Sequence, residues 1–357
     1  MDHIAIDVHK RDSQIYILAD GGEVIEQRIR TEPERFAAVL GTRPRARILM
    51  EASTESEWVA QHLEGMGHEV IVADPNYGPM YGHRSRRIKT DRRDVAALAD
   101  ACQQGTYRRA HRRSARQHEV QCRLNVRQEL TQARTRAISL ARGVTRAAGL
   151  RIRSGRTETF LERLLALELP ASMKATLSPL RSVIEVVNDE LADADAQFEA
   201  LVESDPMVKR LTTLPGIGPI TASAFVAALD VVSRFERAGQ VTSYLGLVPQ
   251  EYSSGEKQRR GRIVRSAHPH LQSLLVQAAW RVWRASDPRT EAFRTWAQDL
   301  ARRRGKKVAI VALARRLART LFAMWRNEAD YQPRRIRTRG AQPVADATAE
   351  TGATAPV

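Results

Sequence analysis

The chain is short of the features that mark secreted or membrane proteins. It has two cysteines in 357 residues, Cys102 and Cys122. They form no metal-binding pattern, and a reducing compartment suits them. No apolar run is long enough to span a bilayer and no secretory leader is legible, so the expected location is the cytoplasm, without a membrane partner. No tandem repeat recurs beyond two heptad patterns. Acids are scarce relative to bases: 41 Asp and Glu against 57 Lys and Arg, a net charge of +16. That imbalance favours a polyanion as partner, nucleic acid before membrane. The length, with 43% hydrophobic residues, allows two or three domains with real cores.

What is present is unevenly placed. Between Arg84 and Arg156 stand 20 Lys and Arg but only 5 Asp and Glu. Such a run is often a merely solvated face. Its length and arginine content point instead to nucleic-acid contact, with Arg86, Arg87 and Lys89 among the contacts.

The first stretch, His3-Ile4-Ala5-Ile6-Asp7-Val8, reads as a buried strand carrying one carboxylate. Buried, Asp7 needs an arginine, backbone amides or a metal ion. Strands are expected over 3–10, 14–19 and 23–30, the last two joined as a hairpin at Asp20-Gly21-Gly22-Glu23. Thr31 is expected to cap a helix with Pro33 in its first turn. Arg47 to Glu51 reads as a strand ending on a carboxylate, 55–66 as a helix, and His68 to Asp74 as a fifth strand. Three antiparallel strands followed by β-α-β is the order of a ribonuclease H-like sheet. Asp91 and Asp94 then share a face of the next helix. They are either acids favoured by the helix dipole or, with Asp7 and Glu51, a hard-oxygen set suited to Mg²⁺ (or Mn²⁺).

Two helices follow with heptad spacing. In 112–149 the apolar positions are Val126, Leu130, Ala133, Ala137, Leu140, Val144 and Ala147. The second carries Ile184, Val187, Leu191, Ala194, Phe198 and Leu201. The first is basic; the second has eight acids between Glu185 and Asp205 and no Lys or Arg. They are expected to pair, within one chain or between chains, or else to pack into separate cores. Leu214-Pro-Gly-Ile-Gly218 is either a plain turn or a helix-hairpin-helix element whose Gly216 and Gly218 offer amides to a phosphate. Ser253 and Ser254 precede Gly255 and a basic loop. A serine there is a turn residue or a nucleophile toward phosphorus, with Lys257, Arg259, Arg260 and Arg262 neutralising phosphate charge. Helices are expected at Leu271–Arg284 and Val308–Arg326, with Arg302 to Lys307 as a basic loop before the second.

These segments together resemble the DEDD transposases of the IS110 type, nearer the IS1111 branch. The resemblance is carried by Ile6-Asp7-Val8-His9-Lys10, Met50-Glu51-Ala52, Lys89-Thr90-Asp91-Arg92-Arg93-Asp94, Leu214 to Gly218, Tyr244 to Pro249, Ser253-Ser254-Gly255, and Val308 to Leu317. It implies an α/β RuvC-like (ribonuclease H-like) DEDD domain over 1–110 and a helical coiled-coil insert over 111–205. A mainly α C-terminal transposase domain would span 206–332, and 333–357 reads as a disordered tail. It implies an insertion-sequence recombinase in which Asp7, Glu51, Asp91 and Asp94 bind the metal and Ser254 is the nucleophile. The serine and the acids, far apart in sequence, would form a composite site. Its implied partners are DNA, a structured guide RNA and further copies of the chain, as dimer or tetramer. One departure is visible: Ser266-Ala-His-Pro-His-Leu-Gln272 stands where the family has Gly-Asn and then Leu-Arg. His268-Pro269 thus replaces the Gly-Asn, and loss of the arginine at Gln272 is expected to weaken phosphate binding. The rival readings are a RuvC-like nuclease that hydrolyses branched DNA with metal-activated water, and a nucleic-acid-binding protein whose acids are structural.

Overall fold

The structure, a computed structural model, describes residues 1–82, 91–251, 260–264 and 268–333. The chain divides into two compact units, Met1–Arg113 and Ser114–Val357.

The first unit is built on a five-stranded mixed sheet in the order β3-β2-β1-β4-β5. Strands β1 (His3–Val8), β2 (Asp12–Leu18) and β3 (Val24–Arg30) are antiparallel neighbours. Strands β4 (Arg47–Glu51) and β5 (Glu69–Ala73) extend the sheet in parallel from β1. Helices α1 (Pro33–Leu40) and α2 (Ser56–Gly65) supply the two crossovers. This order is compatible with the ribonuclease H-like arrangement expected. Burial explains why β1 reads as a continuous apolar run, because both of its faces are covered. Ile4, Ile6, Ile48 and Met50 pack with Phe36, Leu40, Val59 and Leu63 on one side. Ala5, Leu49 and Ile71 pack on the other with Val95, Leu98 and Cys102 of α3 (Asp91–Gln104). Each fully buried Ile or Leu contributes about 1.5–3 kcal/mol over leaving it in water.

One local expectation fails. Thr31 does not cap α1; the cap is Glu32, without a side-chain bond. Thr31 Oγ1 instead donates to the carbonyl of His9 at 2.7 Å and bonds Ser13 Oγ at 2.8 Å, tying the end of β3 to the β1–β2 turn.

The second unit opens with α4 (Ala115–Ala147), then α5 (Phe160–Leu165) and α6 (Ala171–Val202). Asp230 accepts from both the backbone N–H and the hydroxyl of Ser114, the α4 N-cap, at 2.9 and 2.7 Å. Helices α4 and α6 pack antiparallel: Arg123 donates to Gln197, Arg127 to Asp195 and Arg134 to Asn188. The α6 seam lies as read, with Ile184, Leu191 and Phe198 buried. The α4 seam does so only in part. Val126 and Leu140 are 60% and 56% exposed. Of that seam Ala137 is buried and Val144 partly so; the rest of the buried face is Gln117, Val120, Leu124, Ile138, Ala141 and Thr145, interleaved with Arg127 and Arg134.

At one end this pair enters the main core through Val120, Leu124, Phe198 and Val202. That core is assembled by α7 (Pro206–Thr212), α8 (Pro219–Leu229), α9 (Ala238–Tyr244), α10 (Pro269–Arg284), α11 (Glu291–Arg304) and α12 (Lys306–Arg326). Helix α8 is buried along its whole length from Thr221. A short antiparallel hairpin, β6 (Pro249–Glu251) and β7 (Arg260–Ile263), stands between α9 and α10. The expected basic loop at 302–307 is mostly helix: Arg302, Arg303 and Arg304 end α11, and Lys306 already begins α12. Only Gly305, at φ +83°, breaks them. Arginines in a last turn are favoured by the helix dipole, which is why a basic run there need not be a loop. No described helix is long and apolar enough to cross a membrane. The expected tail falls, from residue 334, outside the described residues.

Candidate active site and nucleic-acid interface

The acids of the first unit are placed by strand register. Ile6 pairs with Met50 across the parallel β1–β4 ladder, so one step further sets Asp7 beside Glu51. Register partners on parallel strands point to the same side, about 4.8 Å apart. Asp7 shares parity with Ala5 and Glu51 with Leu49, and both of those side chains pack under α3. Asp94, in the first turns of α3, is buried at 6% exposure. The sheet face under α3 therefore receives Asp7, Glu51 and Asp94. Asp91 is the first residue of α3, and its side chain lies outside the described residues.

Two neighbours modify this face. His9 Nε2 lies 3.3 Å from Asp7 Oδ2, and the Tyr81 hydroxyl donates to Glu51 Oε1. The donor chemistry, carboxylate oxygens on one partly buried face, is that of a Mg²⁺ site. Among the described residues, no group of three His, Cys, Asp or Glu side chains is close enough to hold an ion.

A second candidate segment, in the second unit, lies at the β6–β7 hairpin. Its stalk is described, whereas Ser253, Ser254, Lys257 and Arg259 lie outside the described residues, as do the side chains of Arg260 and Arg262. The stalk is fastened by Gln272, whose amide donates to the carbonyls of Gly246 and Val264. The His268 ring packs tilted against Tyr244, the ring centres 4.9 Å apart. The two positions that depart from the expected pattern are thus both packed against the flanks of this hairpin.

The glycine turn before α8 has a packing explanation. Gly216 sits at φ +93°, and a Cβ there would stand 2.8 Å from Val282 Cγ2 of α10. Gly218 is the N-cap of α8 and has open space around its Cα. Gly216 thus serves a close helix approach, leaving Gly218 as the glycine at the helix entrance.

The basic run divides. Arg86, Arg87 and Lys89 lie outside the described residues. Many of the others meet acids of their own chain. Arg112 forks onto Glu57 at 2.9 Å and also pairs with Glu64, and these two carboxylates raise its pKa further. Arg108 pairs with Asp74, whose carboxyl is held below its usual value, chiefly by the Asn76 backbone amide. In α4, Arg116 meets Asp205 at 3.7 Å, Arg123 meets Glu119 at 3.0 Å, and Arg127 meets Asp195. The charge of this run is therefore partly consumed within the fold. Sequence reading did not reveal Tyr81 on Glu51 or Gln272 on the hairpin, since both are contacts between segments far apart in the chain.

Matches to known proteins fall in both units. Residues 4–146 match a family model described as a DEDD transposase of the IS110 type, and residues 208–294 match one described as the transposase IS116/IS110/IS902 family. A probable family 20 transposase of Pseudomonas aeruginosa is 34% identical over 81% of this chain and 87% of that protein. The transposase for insertion sequence element IS1111A of Coxiella burnetii is 26% identical over 92% of this chain and 91% of its own. That for IS1328 of Yersinia enterocolitica is 24% identical over 90% and 96%. With both halves of the chain matched and a 34% identical relative aligned along most of it, the chain belongs to the IS110 family of insertion-sequence transposases, enzymes that cleave and rejoin DNA.

Proposed function

We propose that this transposase breaks and rejoins DNA through a covalent link to Ser254, assisted by a metal site formed by Asp7, Glu51, Asp91 and Asp94. The first unit is then a ribonuclease H-like domain of the RuvC type. The observation that carries this reading is the shared placement of Asp7 and Glu51 on adjacent parallel strands, on the face where α3 brings buried Asp94. Mg²⁺ or Mn²⁺ bound by these oxygens would offset negative charge on a reacting phosphodiester. Ser254 Oγ forms the bond to phosphorus as the phosphorus–oxygen bond to deoxyribose breaks, leaving a DNA hydroxyl end. Attack by a hydroxyl end on the phosphoserine reverses the exchange and frees the serine. A serine hydroxyl is a weak nucleophile near neutral pH and needs such assistance. Lys257, Arg259, Arg260 and Arg262 neutralise charge on the phosphate. The partners are the DNA of element ends and target, a structured guide RNA, and other copies of the chain.

The test is to trap protein–DNA adducts on denaturing gels. Ser254→Ala is expected to abolish the adduct, and Asp91→Ala to reduce strand exchange to near background. An adduct that persists moves the nucleophile to Ser253. Cleavage that survives loss of both serines but still needs metal replaces this reading with a hydrolytic nuclease acting on branched DNA.

A further inference from the structure

The charges of the α4–α6 pair are segregated along its length. The six acids of α6 lie between Glu185 and Glu199, which the antiparallel packing sets mostly beside the first half of α4. The other end, residues 136–184, carries nine Lys and Arg against three Glu. It has its own small core, in which Ile138, Ala141, Phe160, Leu164 and Ile184 are buried.

At that end a concavity of about 390 Å³ is lined by Arg142, Arg146, Leu150, Arg151 and Ile152. Arg146 and Arg151 are exposed. The Arg142 guanidinium stands over the Phe160 ring at 5.6 Å, and its buried Nε has no hydrogen-bond partner among the described residues. Among the described residues none of the three arginines pairs with a carboxylate, whereas Arg116, Arg123, Arg127 and Arg134, lower in α4, all do. The loop that follows is held in place: Arg163 donates to the carbonyls of Arg153 at 3.1 Å and Arg156 at 2.6 Å. Gly155 leaves room for that side chain, since a Cβ there would stand 2.6 Å from its Nη1.

Three cations around one concavity repel one another, and an anion relieves the repulsion. A guanidinium resting on an aromatic ring presents a planar fork suited to phosphate oxygens. We propose that the concavity of Arg142, Arg146 and Arg151 is a phosphodiester-binding site that seats a backbone phosphate of a nucleic acid. It rests on the nucleic-acid function of the chain and adds a contact surface away from the acids and the serine hairpin in sequence.

The experiment compares the full-length protein with Arg142→Gln/Arg146→Gln/Arg151→Gln. Binding of labelled mixed-sequence duplex DNA and duplex RNA is measured by anisotropy across a salt series. A control triple, Arg28→Gln/Arg30→Gln/Arg35→Gln, removes the same charge from the first unit. The cavity variant is expected to lose affinity on the order of tenfold, with the log–log salt slope reduced by about 0.7–0.9, the signature of one lost phosphate contact. The control is expected to change far less. A loss confined to RNA assigns the site to RNA, and one confined to DNA assigns it to DNA. Unchanged binding to both, or an equal loss in the control, overturns the site. Failure of the unaltered protein to bind either duplex overturns the nucleic-acid reading beneath it. Should the triple variant not fold by circular dichroism, Arg146→Gln/Arg151→Gln, confined to exposed positions, decides by the same criteria.

Discussion

The side-chain amide of Gln272 donates to the carbonyl of Gly246 at 2.7 Å, across 26 positions of sequence. It also reaches the Val264 carbonyl at 3.4 Å, and Val264 in turn donates its N–H to Val248. Gln272 therefore closes the base of the β6–β7 hairpin. Gln272→Ala leaves partly buried carbonyls without their donor, which costs about 1–3 kcal/mol. Urea denaturation is expected to show that loss, and strand exchange to fall with it. An unchanged midpoint would remove Gln272 from the support of the hairpin.

Gly216 gives a second expectation. Its φ of +93° and the 2.8 Å approach of Val282 mean that a methyl group brings both backbone strain and overlap. Gly216→Ala is expected to destabilise the second unit by roughly 1–3 kcal/mol. Trimming the neighbour restores space but not backbone freedom, so Gly216→Ala/Val282→Ala is expected to remain less stable than the wild type. Thermal melts of both variants decide it; Gly216→Ala melting like the wild type counts against the packing account.

The two thiols are expected to behave differently. Cys122 is exposed, while Cys102 is buried, and its burial pushes the thiol pKa up to about 12. Thiolate is the reactive form, so at about pH 8 Ellman's reagent is expected to titrate one thiol in the folded protein and both in guanidinium. Protection of Cys102 reports whether α3 stays on the sheet. Rapid reaction of both thiols in the native chain would show that this helix is loosely held.

Helix α4 leaves Val126 and Leu140 exposed, along with part of Leu130, on a face that α6 does not cover. Their heptad spacing fits a second copy of the chain. Val126→Glu/Leu140→Glu is expected to keep its helical circular dichroism and lower the mass in solution, measured by light scattering. The same mass for variant and wild type assigns the assembly surface elsewhere.

The legible parts of the fold were those whose signal is local. Strands β1 and β4 are apolar runs ending near a carboxylate, and Asp7 and Glu51 were readable as candidates for that reason. The α6 seam was readable because Ile184, Leu191 and Phe198 are large and exactly periodic in burial. The α4 seam was not, because its buried face uses Gln117, Thr145 and paired arginines, so the apolar pattern drew attention to the exposed stripe. Helix α11 escaped because its basic end resembles a loop. Tyr81 on Glu51, Gln272 on Gly246 and the arginine concavity depend on contacts between distant segments, which periodicity does not report.

The pairing of Arg127 with Asp195 and of Arg134 with Asn188 also works as proofreading. A slip of one heptad in one direction would keep Arg134 beside an acid, Asp195; in the other, Arg134 would face Arg181 and Arg127 would face Asn188. An ion pair would be exchanged for a like-charge encounter in a partly desolvated seam, where such an encounter is costly. A greasy interface of equal length would tolerate that slip far better. The arginines that weaken the seam as a hydrophobic surface thus make it a ruler against a slip in that direction.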